Sequence, residues 1–267
     1  MSSTELFFEN QTVKIDAGEL VSYQVHQHEF IHQKGSPGWR NSDTEMFPII
    51  GPTVGADFKV RTPRGLVIQD QHGLLRELAY HLIKVSDTKA VYKKSYTANT
   101  KIKNSKYPGK STKAILSWPY DFEFIKQFEL TESGLQIHFT ISGEEGMPFM
   151  LGYHPAFNLA TANPLIKTSE KEISLAEVLA AGSRALQVAN CDEIVLKDKY
   201  SLKIKTKSFQ NFMIWTEVAN MICIEPITFY PYAIQEGNLE QGFGLLSANP
   251  EVFEVLLSAA AETFTTE

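Results

Sequence analysis

Cysteine is almost missing from this chain, which carries only Cys191 and Cys223 in 267 residues. Two cysteines cannot build a disulfide-stapled scaffold or a four-cysteine zinc module. An excess of positive charge is missing too: 25 Lys and Arg stand against 31 Asp and Glu, a formal charge of −6 with pI ≈ 5.7. Such a chain lacks the footprint of a nucleic-acid binder, so no nucleic-acid partner is expected. No uninterrupted apolar run approaches the ~18 residues of a membrane-spanning helix, so no membrane partner is expected either. The stretch Met1–Asn10 has no basic region followed by an apolar one, which reads as a cytoplasmic protein. There is no linker rich in Pro, Gly or Ser, no low-complexity tract and no internal repeat. Residues 1–267 therefore read as a single domain, at a length all-β barrels and sandwiches often reach as one unit.

What the chain does have is alternation. Val13-Lys14-Ile15, Leu20–Val25, Gln136–Ile141 and Tyr200–Lys205 place apolar and polar residues at period two, the pattern of half-buried strands. Gly, Pro, Asn and Asp punctuate them at short intervals, as in Glu132-Ser133-Gly134, which marks a hairpin. One helix is expected near Ser174–Ala181, where Leu175, Val178 and Leu179 share a face. Alternating βαβ units are absent, so the fold class is all-β with mainly antiparallel sheets. Hydrophobic residues at 43% and charged residues at 21% fit a folded protein with a sizeable core.

From Lys89 to Lys113 the chain carries eight lysines and no acid. We read this as a solvated hairpin with a lysine-rich loop, in preference to an anion-facing patch for a phosphorylated substrate.

The histidines divide into two groups. His26, His28 and His32 share strand parity but lack carboxylate or cysteine support at metal-binding spacing, so they read as a surface strand and no metal site is expected. His72 lies in Gln71-His72-Gly73-Leu74-Leu75-Arg76, and His154 in Gly152-Tyr153-His154-Pro155-Ala156-Phe157-Asn158. Each stands beside a turn residue at a strand end, where a backbone turn can hold an imidazole towards a cleft. Taken singly, each fits a hydrogen-bonded structural histidine as well as a catalyst. Glu225 sits in Cys223-Ile224-Glu225-Pro226, among β-forming apolar residues where a carboxylate loses hydration and its pKa rises.

In this order, with Met46-Phe47-Pro48-Ile49-Ile50-Gly51 before them and Trp215-Thr216 between the last two, these segments resemble the galactose mutarotase-like family (aldose 1-epimerases). The similarity is strongest to its LacX-like and hexose-6-phosphate epimerase-like branch, and it runs over roughly residues 10 to 260. Each motif is moderately specific; four in order are a strong signal. The resemblance implies a β-supersandwich with a sugar cleft on a concave sheet, and a small-molecule aldohexose as partner, with its 6-phosphate as the alternative. It implies that His154 is the general acid that protonates the ring oxygen and that Glu225 is the base for the anomeric proton. His72 and Arg76 would grip ring hydroxyls, Asp192 would match a sugar-binding aspartate, and Trp215 would stack on the apolar sugar face.

Ring opening of a pyranose moves one proton off O1 and another onto O5, so one acid and one base on opposite sides of the sugar suffice and no cofactor is implied. The chain departs from its relatives at Pro52, where many have Arg, and at Ile227-Thr228-Phe229, where they tend to read Trp-Thr-Gly. Both positions fall on the rim of the expected cleft. A carbohydrate-binding protein of the same fold without turnover is the competing reading; it does not require a matched acid and base.

Overall fold

The computed structural model describes residues 3–259. Antiparallel strands dominate, as the period-two alternation requires. The largest sheet has nine strands, running in space from Glu172–Ser174 through Leu165–Lys167, Glu193–Lys197, Ser201–Lys207, Glu251–Ala259, Gly134–Gly143, Phe122–Thr131 and Lys89–Tyr96 to His81–Val85. A second sheet carries Leu186–Ala189, Asn211–Trp215, Met221–Ile227, Gly152–Tyr153 and Glu45–Met46, with Ala156–Asn158 also paired to Met221–Ile227. A four-stranded meander covers Thr4–Glu29.

The Phe122–Thr131 strand shows why the layers stick. Phe122, Phe124, Phe128 and Leu130 fall on one face by strand parity, and all are buried. They meet aromatic residues from the other sheet, with Phe124 5.5 Å from Phe47, while from the neighbouring strand Phe139 lies 5.0 Å from Tyr153, measured between ring centroids. Each such side chain taken from water contributes about 1.5–3 kcal/mol. Lys126 shares that inward face and is completely buried.

The expected helix is present as Leu175–Ala181. Ser174 caps it, its hydroxyl accepting the Glu177 N–H while the Glu177 carboxylate reaches back to the Ser174 N–H. The expected strands are found within Gln11–Asp16, Glu19–Val25 and Gly134–Gly143, and as Ser201–Lys207, which begins one residue after Tyr200. The histidine strand behaves differently. His26 sits in a turn with positive φ, and His32 is fully buried with its Nε2 2.9 Å from the Trp39 carbonyl. The parity argument fails there because the chain turns at His26 and Gln27.

Candidate active site

Register alone brings the key residues together. Ala156 pairs with Cys223 and Gly152 with Ile227, so the same antiparallel count sets His154 opposite Glu225. On the other side of the Met221–Ile227 strand, Trp215 pairs with Cys223. Period two then puts Cys223 and Glu225 on one face, away from Ile222 and Ile224, which enter the main core. His154 is held by its own backbone, which exchanges hydrogen bonds with Thr44 at 2.8 and 3.2 Å.

His154 Nε2 lies 3.5 Å from Glu225 Oε1, and both residues are buried. The expected acid and base are therefore neighbours, where the resemblance set them on opposite sides of a sugar. Trp39 stacks on the His154 ring at 4.3 Å, Trp215 meets it edge-on at 6.3 Å, and His72 lies 5.7 Å away. Trp39 went unnoticed in the sequence because it belongs to a polar loop without periodicity; a tryptophan amid Gly, Ser and Pro was the available signal. Its backbone is fixed by the His32 contact and by its N–H, 3.3 Å from Met221 Sδ.

His72 and Arg76 come from one tight loop. His72 and Gly73 both have positive φ, and a Cβ at Gly73 would meet the Phe47 carbonyl oxygen at 2.2 Å, so only glycine fits there. The Arg76 guanidinium donates to the Gln71 carbonyl at 2.9 Å. Its charge reaches both histidines. Burial first, then Arg76, brings His154 down to about 3 and holds His72 well below the usual imidazole range. Burial raises the Glu225 carboxyl well above its usual value. Both shifts favour the uncharged forms, an imidazole beside a carboxylic acid.

Behind His154 lies a buried ionic cluster. Lys126 Nζ stands 2.6 Å from both Asp43 and Glu45, and the Tyr153 hydroxyl donates to Asp43 at 2.9 Å. Asp43 and Glu45 flank Thr44, the residue that brackets His154, so the cluster ties the site's strand to the large sheet. Burial pushes Asp43 up to about 7, whereas at Glu45 the burial effect is outweighed by Lys126 and Lys94. On the far side of Arg76 opens a cleft of about 540 Å³, also lined by Glu19, Glu77, Lys94 and Lys106; neither His154 nor Glu225 reaches it.

The structure does not bring every expected residue to this cluster. Asp192 is exposed at the head of the Glu193–Lys197 strand, where its carbonyl accepts from Thr206, and among the described residues it has no contact with His154 or Glu225. Of the lysines between Lys89 and Lys113, five stand in ion pairs: Lys89 with Glu129, Lys93 with Glu123, Lys94 with Glu45, Lys106 with Asp70 and Lys113 with Asp57. Acids from elsewhere in the chain thus balance much of that segment's charge.

The aldose 1-epimerase family model matches residues 18–211 of the chain. Among solved structures, a galactose mutarotase-like protein from Lactobacillus casei ATCC 334 is 16% identical with a TM-score of 0.79, over 97% of this chain and 100% of that one. A galactose mutarotase related enzyme from Lactobacillus acidophilus is 17% identical with a TM-score of 0.78, over 97% and 98%. A galactose mutarotase-like protein from Clostridium acetobutylicum is 13% identical with a TM-score of 0.65, also over 97% and 98%. At those identities the likeness is one of fold. No curated protein matches the sequence. The matched stretch includes His72, Arg76 and His154; Glu225 lies beyond it, opposite His154 in the sheet.

Proposed function

Since the chain belongs to the aldose 1-epimerase family, we propose that it interconverts the α and β anomers of an aldohexose by acid/base-catalysed ring opening and reclosure. The observation that carries this reading is the buried His154–Glu225 pair at 3.5 Å. The two oxygens that exchange protons, O1 and O5, are bonded to the same carbon. An acid and a base standing side by side match that geometry. Glu225 takes the O1 proton as His154 gives one to O5, the C1–O5 bond breaks, and the open chain turns about C1–C2. Reclosure on the other carbonyl face reverses both transfers.

The pair works with one proton between its members. In the free protein burial keeps that proton on Glu225, the arrangement that accompanies the open-chain sugar. A bound ring restores polar contacts to the Glu225 carboxylate, and the proton then resides on His154. His72 and Arg76 hold ring hydroxyls and stabilise charge developing on oxygen, and Trp39 and Trp215 pack on the apolar sugar face. Free hexose is favoured over its 6-phosphate because the lysine-rich segment spends much of its charge on acids of the chain itself.

The test is anomer exchange by NMR, or polarimetry, on freshly dissolved single anomers of free and 6-phosphorylated hexoses. Glu225→Gln and His154→Asn should each lower kcat by at least ~10²-fold, the usual contribution of one positioned acid or base. The double variant should lose much less than the product of the two effects. Near wild-type turnover in a folded Glu225→Gln protein would overturn the assignment and leave carbohydrate binding without turnover as the better reading.

A further inference from the structure

Glu225 does not stand opposite His154 alone. Cys223, two residues earlier on the same strand face, brings a free, buried thiol to the pair. One ligand atom each from His154, Cys223 and Glu225 lie within 4.8 Å of one another. Epimerisation uses the histidine and the carboxylate and leaves the thiol idle.

We propose that His154, Cys223 and Glu225 form a binding site for a thiophilic divalent cation, Zn²⁺ foremost, whose occupancy switches the acid/base pair off. The proposal rests on the reading of His154 and Glu225 as the working pair. Thiolate, imidazole and carboxylate are the donor types that zinc takes, whereas magnesium and calcium prefer all-oxygen sets. The spacing is close to preformed. Three atoms within 4.8 Å of one another leave a central point at most about 2.8 Å from each (4.8 Å divided by √3), against about 2.0–2.3 Å for zinc–nitrogen and zinc–sulfur bonds. Two ligands on one tetrahedral zinc sit about 3.3 Å apart, and His154 and Glu225 already stand at 3.5 Å.

Two further observations support an ion here. The His154 Nδ1 atom is buried with no hydrogen-bond partner, and Nε2 faces only Glu225, at 3.5 Å. Charge also balances: ionised Cys223 and Glu225 carry two negative charges, which one dication neutralises in a place where water cannot. The ion displaces the thiol and carboxyl protons and engages the lone pairs that must accept and return the sugar's protons, so turnover stops while it is bound. Three protein ligands leave a fourth position for water or a sugar hydroxyl.

The experiment titrates chelator-treated full-length protein with Co²⁺, read as the near-ultraviolet thiolate-to-cobalt charge-transfer band, and separately with Zn²⁺, read as anomer exchange. The expected result is a saturable cobalt band at one ion per chain, with Zn²⁺ inhibition that a chelator reverses. Cys223→Ser should keep metal-free activity, lose the band, and shift the zinc inhibition midpoint by at least ~100-fold, beyond the ~10–100-fold cost of losing even an outer-shell partner. Should the serine variant misfold, Cys223→Ala serves, and the cobalt band of the unmodified protein still decides. No charge-transfer band, or zinc inhibition unchanged in the Cys223 variants, overturns the site and leaves the epimerase reading intact. A saturable cobalt band, from a protein that exchanges no anomers when metal-free, would instead sink the epimerase reading and keep the metal site.

Discussion

His154 and Glu225 would both be charged in water for much of the range between their ordinary pKa values; buried side by side, both are pushed towards neutrality. The sign follows from each shift. Burial brings His154 down to about 3, so a second proton joins the pair only in strong acid. Glu225 is raised by burial, so the pair keeps its last proton well above the pH at which an ordinary carboxyl loses it. Going down in pH, the free-enzyme kcat/KM should therefore show no loss centred on about 6.5, where an ordinary imidazole titrates, and its acid limb should lie at much lower pH. The measurement is NMR anomer exchange against pH in chelator, with the uncatalysed rate subtracted; a sigmoidal loss centred near 6.5 would mean that the imidazole is solvated. Trp39 supplies a second residue-scale expectation. It stacks on His154 from a loop whose backbone is tied down, so Trp39→Ala should raise KM more than it lowers kcat, because an aromatic wall mainly binds. His154, Glu225, His72 and Arg76 were legible because each stands in a local motif of turn and apolar strand. Trp39 was not, since nothing in its polar loop reveals that the loop folds back over His154.

At the scale of single elements, strand parity is the part of the fold most readable from sequence. The alternation in Gln136–Ile141 announces a strand, and Leu175, Val178 and Leu179 announce the helix; in the partner strand Phe122–Thr131 the same period buries Phe122, Phe124, Phe128 and Leu130. The same parity turns Lys126 inward, and its carboxylate partners could not be read because Asp43 lies 83 residues away. A fully buried cation of this kind is costly to unpair. Lys126→Met should cost about 3–5 kcal/mol of stability, since it leaves Asp43 buried without its counter-charge and Glu45 with only Lys94. Replacing the closest pair together, as Lys126→Met with Asp43→Asn, leaves Glu45 its Lys94 partner and should recover much of that loss, because a buried ionic pair replaced whole is often near neutral. Urea unfolding of the single and double variants separates the two outcomes. A single variant as stable as the parent would mean that the cluster does not hold the Glu45–Met46 strand against the large sheet. The register that sets His154 against Glu225 belongs to this scale too. It follows from pairings between distant strands, which is why the sequence offered both residues but placed them on opposite sides of the sugar.

Across the whole molecule, the site's buried groups tie stability to pH. His72 and His154 have folded pKa values below the unfolded value of about 6.5. Below that pH the unfolded chain binds protons that the folded protein refuses, so their contribution is complete above about 6.5 and is lost as pH falls towards the folded values, about 3 for His154. Each histidine adds a slope of up to ~1.4 kcal/mol per pH unit within that window. Glu225 works in the other direction. Its folded pKa is raised, so the stability it contributes is present below its unfolded value and is lost as pH climbs through the folded one. Glu225 thus offsets part of the histidines' acid-side slope, and stability is greatest near 6.5, where the histidine contribution is complete. The urea midpoint should therefore fall as pH is lowered from 7 to about 4, and the double variant His72→Asn, His154→Asn should flatten that fall, since asparagine takes up no proton in either state. Carboxylates elsewhere in the chain add their own acid sensitivity, so the informative quantity is the difference in slope between parent and double variant. If the two slopes coincide, the histidines titrate alike in the folded and unfolded chains, and the water-poor pocket assigned to them, on which the flat activity profile also depends, does not exist.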